Sequence, residues 1–281
     1  MKIIDAHMHF SNIESFRHTA GHISMLDYSR AGFDAECRKN NVVSAVCMGL
    51  TETMKNAFPD DSSETPMLAD LCDSVPGGVY VCPGVNPHRL SAGNIEALEA
   101  ECKKDRCVGI KIYAGYYHVD IYDKIYLPVY EMASRYGLPV VVHTGFTYSE
   151  RGLLAYSHPL NVDRLAVMYR DVDFVMAHIG DPWVLDACGV AHKNPNAYLD
   201  LSGLIVGDAA EFATVTGSEL MMDRYKVGLV MLNDYSKVLY GSDWPLASME
   251  DYIGFCKKLT PRRFFEDVFY NNAKRVFKKI I

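Results

Sequence analysis

Residues 3–9 read Ile-Ile-Asp-Ala-His-Met-His, an apolar run that ends in two histidines two positions apart. The run predicts a buried strand, and side chains two positions apart on a strand point to the same face. His7 and His9 would therefore form a chelating pair for a divalent metal at the strand end. The alternative interpretation is a surface strand end with two solvated histidines, because His-x-His also arises by chance.

Seven further apolar, β-branched runs follow along the chain, and amphipathic stretches separate them. The eight predicted strands are 2–6, 42–49, 79–85, 108–113, 139–144, 173–178, 197–202 and 237–242. The predicted helices are 91–104, 125–136, 160–169, 182–191, 208–225 and 249–258. Eight strand–helix units predict an α/β fold, a (β/α)8 TIM barrel, rather than an open sheet. No glycine-rich phosphate loop supports the open sheet.

Three segments depart from the alternation of strands and helices. Residues 10–32 and 51–77 are long and mixed, so we expect them to lie over the barrel mouth and to cap a site there. Residues 261–281 predict closing helices at the C-terminus. Because no internal repeat or linker interrupts the chain, we expect residues 1–281 to form one domain.

Composition limits the classes of partner. Hydrophobic residues make up 49% of the 281 residues, which is enough for a large core. The net charge of -7 and the lack of a basic block disfavour nucleic acid and anionic membranes as partners. The apolar runs are strand-sized, and no secretion signal is found at the N-terminus. The eight cysteines form no Cys-x-x-Cys pair, so we expect free thiols in a reducing cytoplasm.

Ionisable residues follow or lie within the apolar runs, and barrel enzymes place their active sites at the C-terminal ends of strands. Five predicted strands contribute to this set, which contains His7, His9, Lys111, His143, His178 and Asp243. Side chains that share this topological position should face one mouth. The sequence therefore predicts one site rather than scattered surface charges.

A single catalytic metal fits this set. His7, His9 and His143 would supply neutral nitrogens and Asp243 an anionic oxygen, leaving a position for water. Such a metal lowers the pKa of the water toward neutrality and generates a hydroxide nucleophile. His178 would act as a general acid or base, or polarise a substrate carbonyl. Asp243 would ligate the metal, orient the water or take its proton.

The His-x-His pair, the later strand-end histidines, Gly-Ser-Asp-Trp-Pro at 241–245 and the closing stretch 271–277 together resemble the amidohydrolase superfamily. The nearest branch is amidohydrolase-2, which includes aminocarboxymuconate-semialdehyde decarboxylase, resorcylate-type decarboxylases and lactonase-like hydrolases. The resemblance implies one divalent ion, most often zinc with Mn²⁺ as the alternative, although some lactonase-like members work without metal. It implies metal ligands at His7, His9, His143 and Asp243, a catalytic role for His178, and a homodimer.

Further residues are candidates for the substrate or for supporting roles. Lys111 would contact a substrate carboxylate or form a local ion pair; the alternative, by resemblance to two-metal amidohydrolases, is a carboxylated lysine that bridges two ions. Asn86 and Tyr113 are candidate substrate contacts. The alternative for Asn86 is a turn stabilised by the Asn-Pro pair, and the alternative for Tyr113 is aromatic packing. Asp181 precedes a proline and is interpreted as a helix cap. Asp200 would orient a metal ligand.

Three hypotheses of function follow. The first is a metal-dependent hydrolase of a lactone, amide or similar carbonyl in a small carboxylated metabolite. The second is a metal-dependent, non-oxidative decarboxylase of an unsaturated or aromatic carboxylic acid. No Glu-x-His replaces the His7–His9 pair as in several resorcylate-type decarboxylases, and this favours hydrolysis. The third is a barrel that binds a metabolite without catalysis, against which the ionisable strand ends argue.

Overall fold

The computed structural model describes all 281 residues and contains nine strands. Every strand ladder is parallel, as the apolar runs predict. The strands are β1 Ile3–Met8, β2 Val42–Met48, β3 Val79–Cys82, β4 Gly84–Val85, β5 Ile110–Ile112, β6 Val140–Val142, β7 Phe174–Met176, β8 Ala197–Asp200 and β9 Val238–Leu239. Strands β3 and β4 are the two halves of the single predicted strand 79–85, because Pro83 has no amide hydrogen for a ladder bond.

The strands form two sheets, β1-β2-β3 and β4-β5-β6-β7-β8-β9, which backbone hydrogen bonds join. The amide of Val108 donates to the Val81 carbonyl at 3.1 Å, linking β3 to the segment that leads into β5. On the other side, the amide of Ala6 donates to the Tyr240 carbonyl at 2.9 Å, linking β1 to the chain just after β9. The protein is thus an α/β TIM barrel with eight strand positions, which confirms the predicted fold class.

Most of the helices cover the outside of the sheet. They are α1 Glu14–His22, α2 Arg30–Asn40, α3 Ala92–Cys102, α4 Leu127–Tyr136, α5 Leu160–Met168, α6 Val184–Lys193, α7 Ala209–Gly217, α8 Glu219–Leu232, α9 Met249–Leu259 and α10 Asn272–Val276. The predicted helix 208–225 is wrong as one unit, because Ser218 ends α7 and caps α8 by accepting a hydrogen bond from the Met221 amide. Helix α2 lies outside the predicted set, since only Gly32 and Phe33 are buried along it.

Side chains that point into the barrel alternate with those that pack against the helices. Val46, Val141, Val175 and Leu239 belong to a buried cluster of 14 residues inside the barrel. The predicted closing segment supplies four further members of this cluster, namely Ala273, Val276, Phe277 and Ile280. The closing segment therefore packs on the barrel core and leaves the other end, at the C-terminal ends of the strands, to the ionisable residues.

The long segments after β1 and β2 reach the barrel mouth, as the sequence predicts. Phe16 of α1 and Phe58 of the second segment contact each other with ring centroids 5.8 Å apart. Tyr148, from the loop after β6, packs against both rings. No helix of the structure combines the length and the apolar character that crossing a bilayer requires.

Candidate metal centre and substrate cavity

A cavity of about 230 Å³ opens at the C-terminal ends of the strands. All six ionisable residues that the sequence places at this mouth line it. Six aromatic side chains form much of the remaining wall: Phe16, Phe58, Tyr113, Tyr116, Phe146 and Tyr148. The cavity thus combines a polar floor with flat apolar walls, the usual composition of a small-molecule site.

His7, His9 and Asp243 lie close enough to share one ion. A ligand atom from each lies within 4.8 Å of the others. Oδ1 of Asp243 is 3.5 Å from Nε2 of His7 and 3.3 Å from Nε2 of His9. Nε2 of His7 and Oδ1 of Asp243 are buried and have no hydrogen-bond partner. Because unpaired buried polar atoms are costly, this group fits a metal ion that all three would ligate.

Neighbouring groups orient both histidines. Nδ1 of His7 lies 2.8 Å from Oδ2 of Asp200, and Nδ1 of His9 lies 3.2 Å from the Met48 carbonyl oxygen. Both partners only accept hydrogen bonds, so each Nδ1 carries the hydrogen and each Nε2 presents its lone pair. Asp200 thus occupies the supporting position that the sequence analysis predicts for it.

The backbone of Asp243 aims its carboxylate at the two histidines. Asp243 adopts a left-handed conformation with a φ of 57°, and its amide donates to the His7 carbonyl at 2.9 Å. Burial acts against its charged form, yet the nearby rings of His9, His7 and His178 hold the pKa of Asp243 well below its usual range. The carboxylate is therefore anionic at neutral pH, as a metal ligand must be.

His143 and His178 form a second pair beside this group. Nε2 of His178 lies 3.1 Å from Nδ1 of His143. Nδ1 of His178 lies 2.9 Å from the Ser202 carbonyl oxygen, and Nε2 of His143 lies 3.0 Å from the Phe146 carbonyl oxygen. Burial lowers the pKa of both imidazoles. His143 is outside the three-residue group, so its role as a metal ligand stays a prediction.

Gly203 is a site residue that sequence reasoning missed. Its φ is +66°, and a Cβ atom there would lie 2.5 Å from Nδ1 of His178 and 2.6 Å from Oδ2 of Asp243. Only glycine leaves room for both side chains at this point. The only sequence signal for this role was its position directly after Ser202 in Leu-Ser-Gly. A glycine in that position is equally typical of an ordinary turn.

Lys111 lies at the floor of the cavity. It is 1% exposed, and its Nζ has no hydrogen-bond partner. Burial lowers the pKa of Lys111 to about 8, although Asp200 and Asp243 favour its charged form. The ammonium lies 5.3 Å from the centre of the Tyr113 ring. An unpaired buried cation in a cavity is suited to a substrate anion.

The structure also shows the contacts of the three remaining candidates, Asn86, Tyr113 and Asp181. Asn86 does not line the cavity, since its amide nitrogen donates to the carbonyls of Asp61 and Ser63 and holds the second long segment in place. Tyr113 lines the cavity, while its hydroxyl donates to the Gly49 carbonyl at 2.8 Å. The cap interpretation of Asp181 is wrong, because α6 has no side-chain cap and the Asp181 carboxylate accepts from Arg224 instead.

The fold and the donor set define a barrel enzyme with a metal-binding mouth. The chain belongs to the amidohydrolase family, whose amidohydrolase-2 model matches residues 4–279. This membership confirms the resemblance drawn from the strand-end histidines. No curated protein matches the chain.

Solved structures share the fold at low identity. An uncharacterised TIM-barrel protein from Bordetella bronchiseptica is 19% identical with a TM-score of 0.69, over 100% of this chain and 99% of that one. A probable 2-pyrone-4,6-dicarboxylic acid hydrolase from Acinetobacter baumannii, with citric acid bound, is 16% identical with a TM-score of 0.65, over 99% and 100%. A 5-carboxyvanillate decarboxylase from Novosphingobium aromaticivorans, complexed with manganese, is 12% identical with a TM-score of 0.66, over 99% and 96%.

Proposed function

We propose that this protein is a metal-dependent hydrolase that acts on a lactone, amide or similar carbonyl of a small carboxylated metabolite. The observation that carries the proposal is the buried group of His7, His9 and Asp243, in which two ligand atoms have no partner. Membership of the amidohydrolase family agrees with this chemistry.

His7, His9 and Asp243 would hold the ion, with His143 as a further ligand. When bound, a divalent ion supplies Lewis acidity that polarises a carbonyl and activates water. We propose zinc, with Mn²⁺ as the alternative, because imidazole nitrogens and a carboxylate oxygen suit both. One group of this kind exists in the structure, which favours a single ion over a pair bridged by a carboxylated Lys111.

His178 is the proposed general acid and base. Its Nδ1 faces the Ser202 carbonyl, so the hydrogen stays there and Nε2 is the atom that takes up and returns a proton. Burial lowers the pKa of His178, which keeps the ring neutral and ready to accept a proton at pH 7. Asp243, whose Oδ2 is 4.0 Å from Nδ1 of His178, stabilises the imidazolium that forms and is the second catalytic residue in this proposal.

Lys111 is the proposed anchor for the carboxylate of the substrate. Its unpaired ammonium lies at the polar floor, and the aromatic walls would hold the body of the molecule above it. Tyr113 would contribute its ring to this wall, since its hydroxyl is already bound to the backbone.

The second candidate function is a non-oxidative decarboxylase of an unsaturated or aromatic acid. The specific observation in its favour is that six aromatic side chains line the cavity together with the unpaired ammonium of Lys111. This combination fits a flat ring that carries a carboxylate. In that reaction His178 would take up a proton from solvent at Nε2 and donate it to the ring carbon, whose bond to the carboxylate breaks as carbon dioxide leaves.

Two measurements separate these functions. Elemental analysis of the purified protein should give about one equivalent of zinc or manganese. The metal-containing enzyme is then assayed for acid release from lactones and amides, and for carbon dioxide release from aromatic acids. Acid release alone supports the hydrolase and carbon dioxide release alone the decarboxylase. Absence of metal and of both activities would contradict the proposal and favour the non-catalytic barrel.

The proposal also covers the cellular compartment, the domain organisation, the oligomeric state and the partner. We propose a cytoplasmic enzyme in which residues 1–281 act as one domain and two copies form a homodimer. Eight free cysteines agree with a reducing compartment. The partner is a small molecule, and the net charge of -7 argues against nucleic acid.

A further inference from the structure

Asp181 is a cavity residue that the proposed reaction leaves unused. It follows β7, lines the cavity beside His178, and is 7% exposed. Its amide donates to the His178 carbonyl at 2.9 Å, and its carbonyl accepts from the Phe146 amide at 2.7 Å. These two backbone hydrogen bonds therefore hold Asp181 between His178 and Phe146.

The two carboxylate oxygens of Asp181 have different surroundings. Oδ2 accepts from Nη2 of Arg224 at 2.8 Å and from the Tyr225 hydroxyl at 3.2 Å. Oδ1 is buried and has no hydrogen-bond partner. Helix α8 thus anchors one oxygen from outside the barrel, while the other is left for a donor that the protein does not provide.

The charges along the cavity are unevenly distributed. Lys111 is the only lysine in the lining, and no arginine lines the cavity. The Lys111 ammonium lies 5.3 Å from the centre of the Tyr113 ring, whereas the Asp181 carboxylate is bound to Arg224 and Tyr225. The cation and the Asp181 carboxylate therefore mark two separate subsites, one for an anion and one that repels it.

We propose that Asp181 selects the substrate: its Oδ1 accepts a hydrogen bond from a neutral hydroxyl or amino group, and its charge excludes a second carboxylate. The substrate class is a ring or chain with one carboxylate, held at Lys111, and one hydrogen-bond donor, held at Asp181. The inference rests on the proposed function in taking this cavity as the substrate site. It predicts that dicarboxylates bind poorly, since Lys111 is the only lysine or arginine in the lining and the second carboxylate would meet Asp181.

The test is calorimetric binding of three probes to the metal-containing protein: benzoate, 3-hydroxybenzoate and isophthalate. We expect 3-hydroxybenzoate to bind about tenfold more tightly than benzoate, and isophthalate about tenfold more weakly. In Asp181→Asn the hydroxyl preference should shrink and isophthalate should bind as well as benzoate. Asp186→Asn, which removes an exposed charge in the first turn of α6, is the matched control and should keep the wild-type ranking.

The ranking of the wild type is informative even if Asp181→Asn does not fold. Equal affinity for benzoate and 3-hydroxybenzoate, tight binding of isophthalate, or no binding of any probe would each overturn the proposal. An unchanged ranking in folded Asp181→Asn would overturn it as well. Binding with the expected ranking but without turnover would contradict the proposed reaction and leave the role of Asp181 intact.

Discussion

Nε2 of His178 lies 3.1 Å from Nδ1 of His143, while the other nitrogen of each ring faces a backbone carbonyl oxygen. A carbonyl oxygen only accepts, so those outer nitrogens carry the hydrogens. Two neutral rings would then bring two lone pairs together. The contact becomes favourable once Nε2 of His178 takes up a proton, because Nδ1 of His143 then accepts a hydrogen bond from it, so the pair suits a general base.

His178→Asn should keep the metal and lose turnover. Asparagine cannot shuttle a proton, so kcat should fall by about 10²–10⁴-fold. Metal content, measured by elemental analysis, should stay at the wild-type level, because His178 is outside the three-residue metal group. Turnover within a few-fold of the wild type would remove His178 from the catalytic role.

Asp200→Asn should weaken the metal site without removing a ligand. Asp200 holds Nδ1 of His7 at 2.8 Å and accepts from the His178 amide at 3.1 Å. Loss of such a supporting carboxylate costs about 10–100-fold in metal affinity. Competition with a chromogenic chelator measures this change, and an unaltered affinity would mean that Asp200 does not orient His7.

The double variant His7→Ala/His9→Ala should be folded and free of metal. Neither residue belongs to the buried apolar clusters, so the barrel core is preserved. The variant leaves the Asp200 carboxylate without the His7 ring, which should lower the free energy of unfolding by about 1–3 kcal/mol. Circular dichroism reports the fold and elemental analysis the metal; full metal content would refute this site.

Gly203→Ala should impair catalysis by displacing two side chains. The new methyl group would press on His178 and Asp243, and the left-handed backbone would add about 1 kcal/mol of strain. Because misplacement of about 1 Å costs about 10²-fold in rate, kcat/KM should fall by that order. Gly254→Ala on α9, where an added Cβ meets nothing within 4 Å, is the control and should leave kcat/KM unchanged.

Lys111 should make stability depend on alkaline pH in metal-free protein. The pKa of Lys111 is about 8 in the folded state against 10.5 for the ordinary side chain. Between these values the unfolded chain binds the extra proton, so the folded state gains stability as pH rises. The free energy of unfolding of the wild type, relative to Lys111→Met, should increase by up to about 3 kcal/mol across this interval. A flat difference in urea titrations would show that Lys111 titrates normally.

The sequence predicts the barrel and the mouth for a topological reason. The C-terminal ends of parallel strands meet at one end of a barrel. Once eight strands are identified, this topology predicts that Lys111, His143 and Asp243 converge. The alternation of side chains along β5 also predicts which way Lys111 points. Ile110 and Ile112 pack outward against the helices, so Lys111 between them points into the barrel.

The remaining features depend on contacts between distant segments. Asp181 before a proline has the pattern of a helix cap, yet the partner that binds it, Arg224, lies 43 positions further along the chain. The left-handed turn at Gly203 and the aromatic walls from α1 and residues 51–77 are likewise tertiary. No local periodicity carries this information, because the groups meet only after the barrel has closed.

The residues that would hold the metal stand on strand ends, whereas Phe16, Phe58 and Tyr148 reach the same cavity from three separate excursions of the chain. The two sets can therefore vary independently through evolution or directed libraries. Changes in the three aromatic residues would reshape what enters the cavity without disturbing the ring of histidines beneath. One reactive centre can in this way be inherited by enzymes with unrelated substrates.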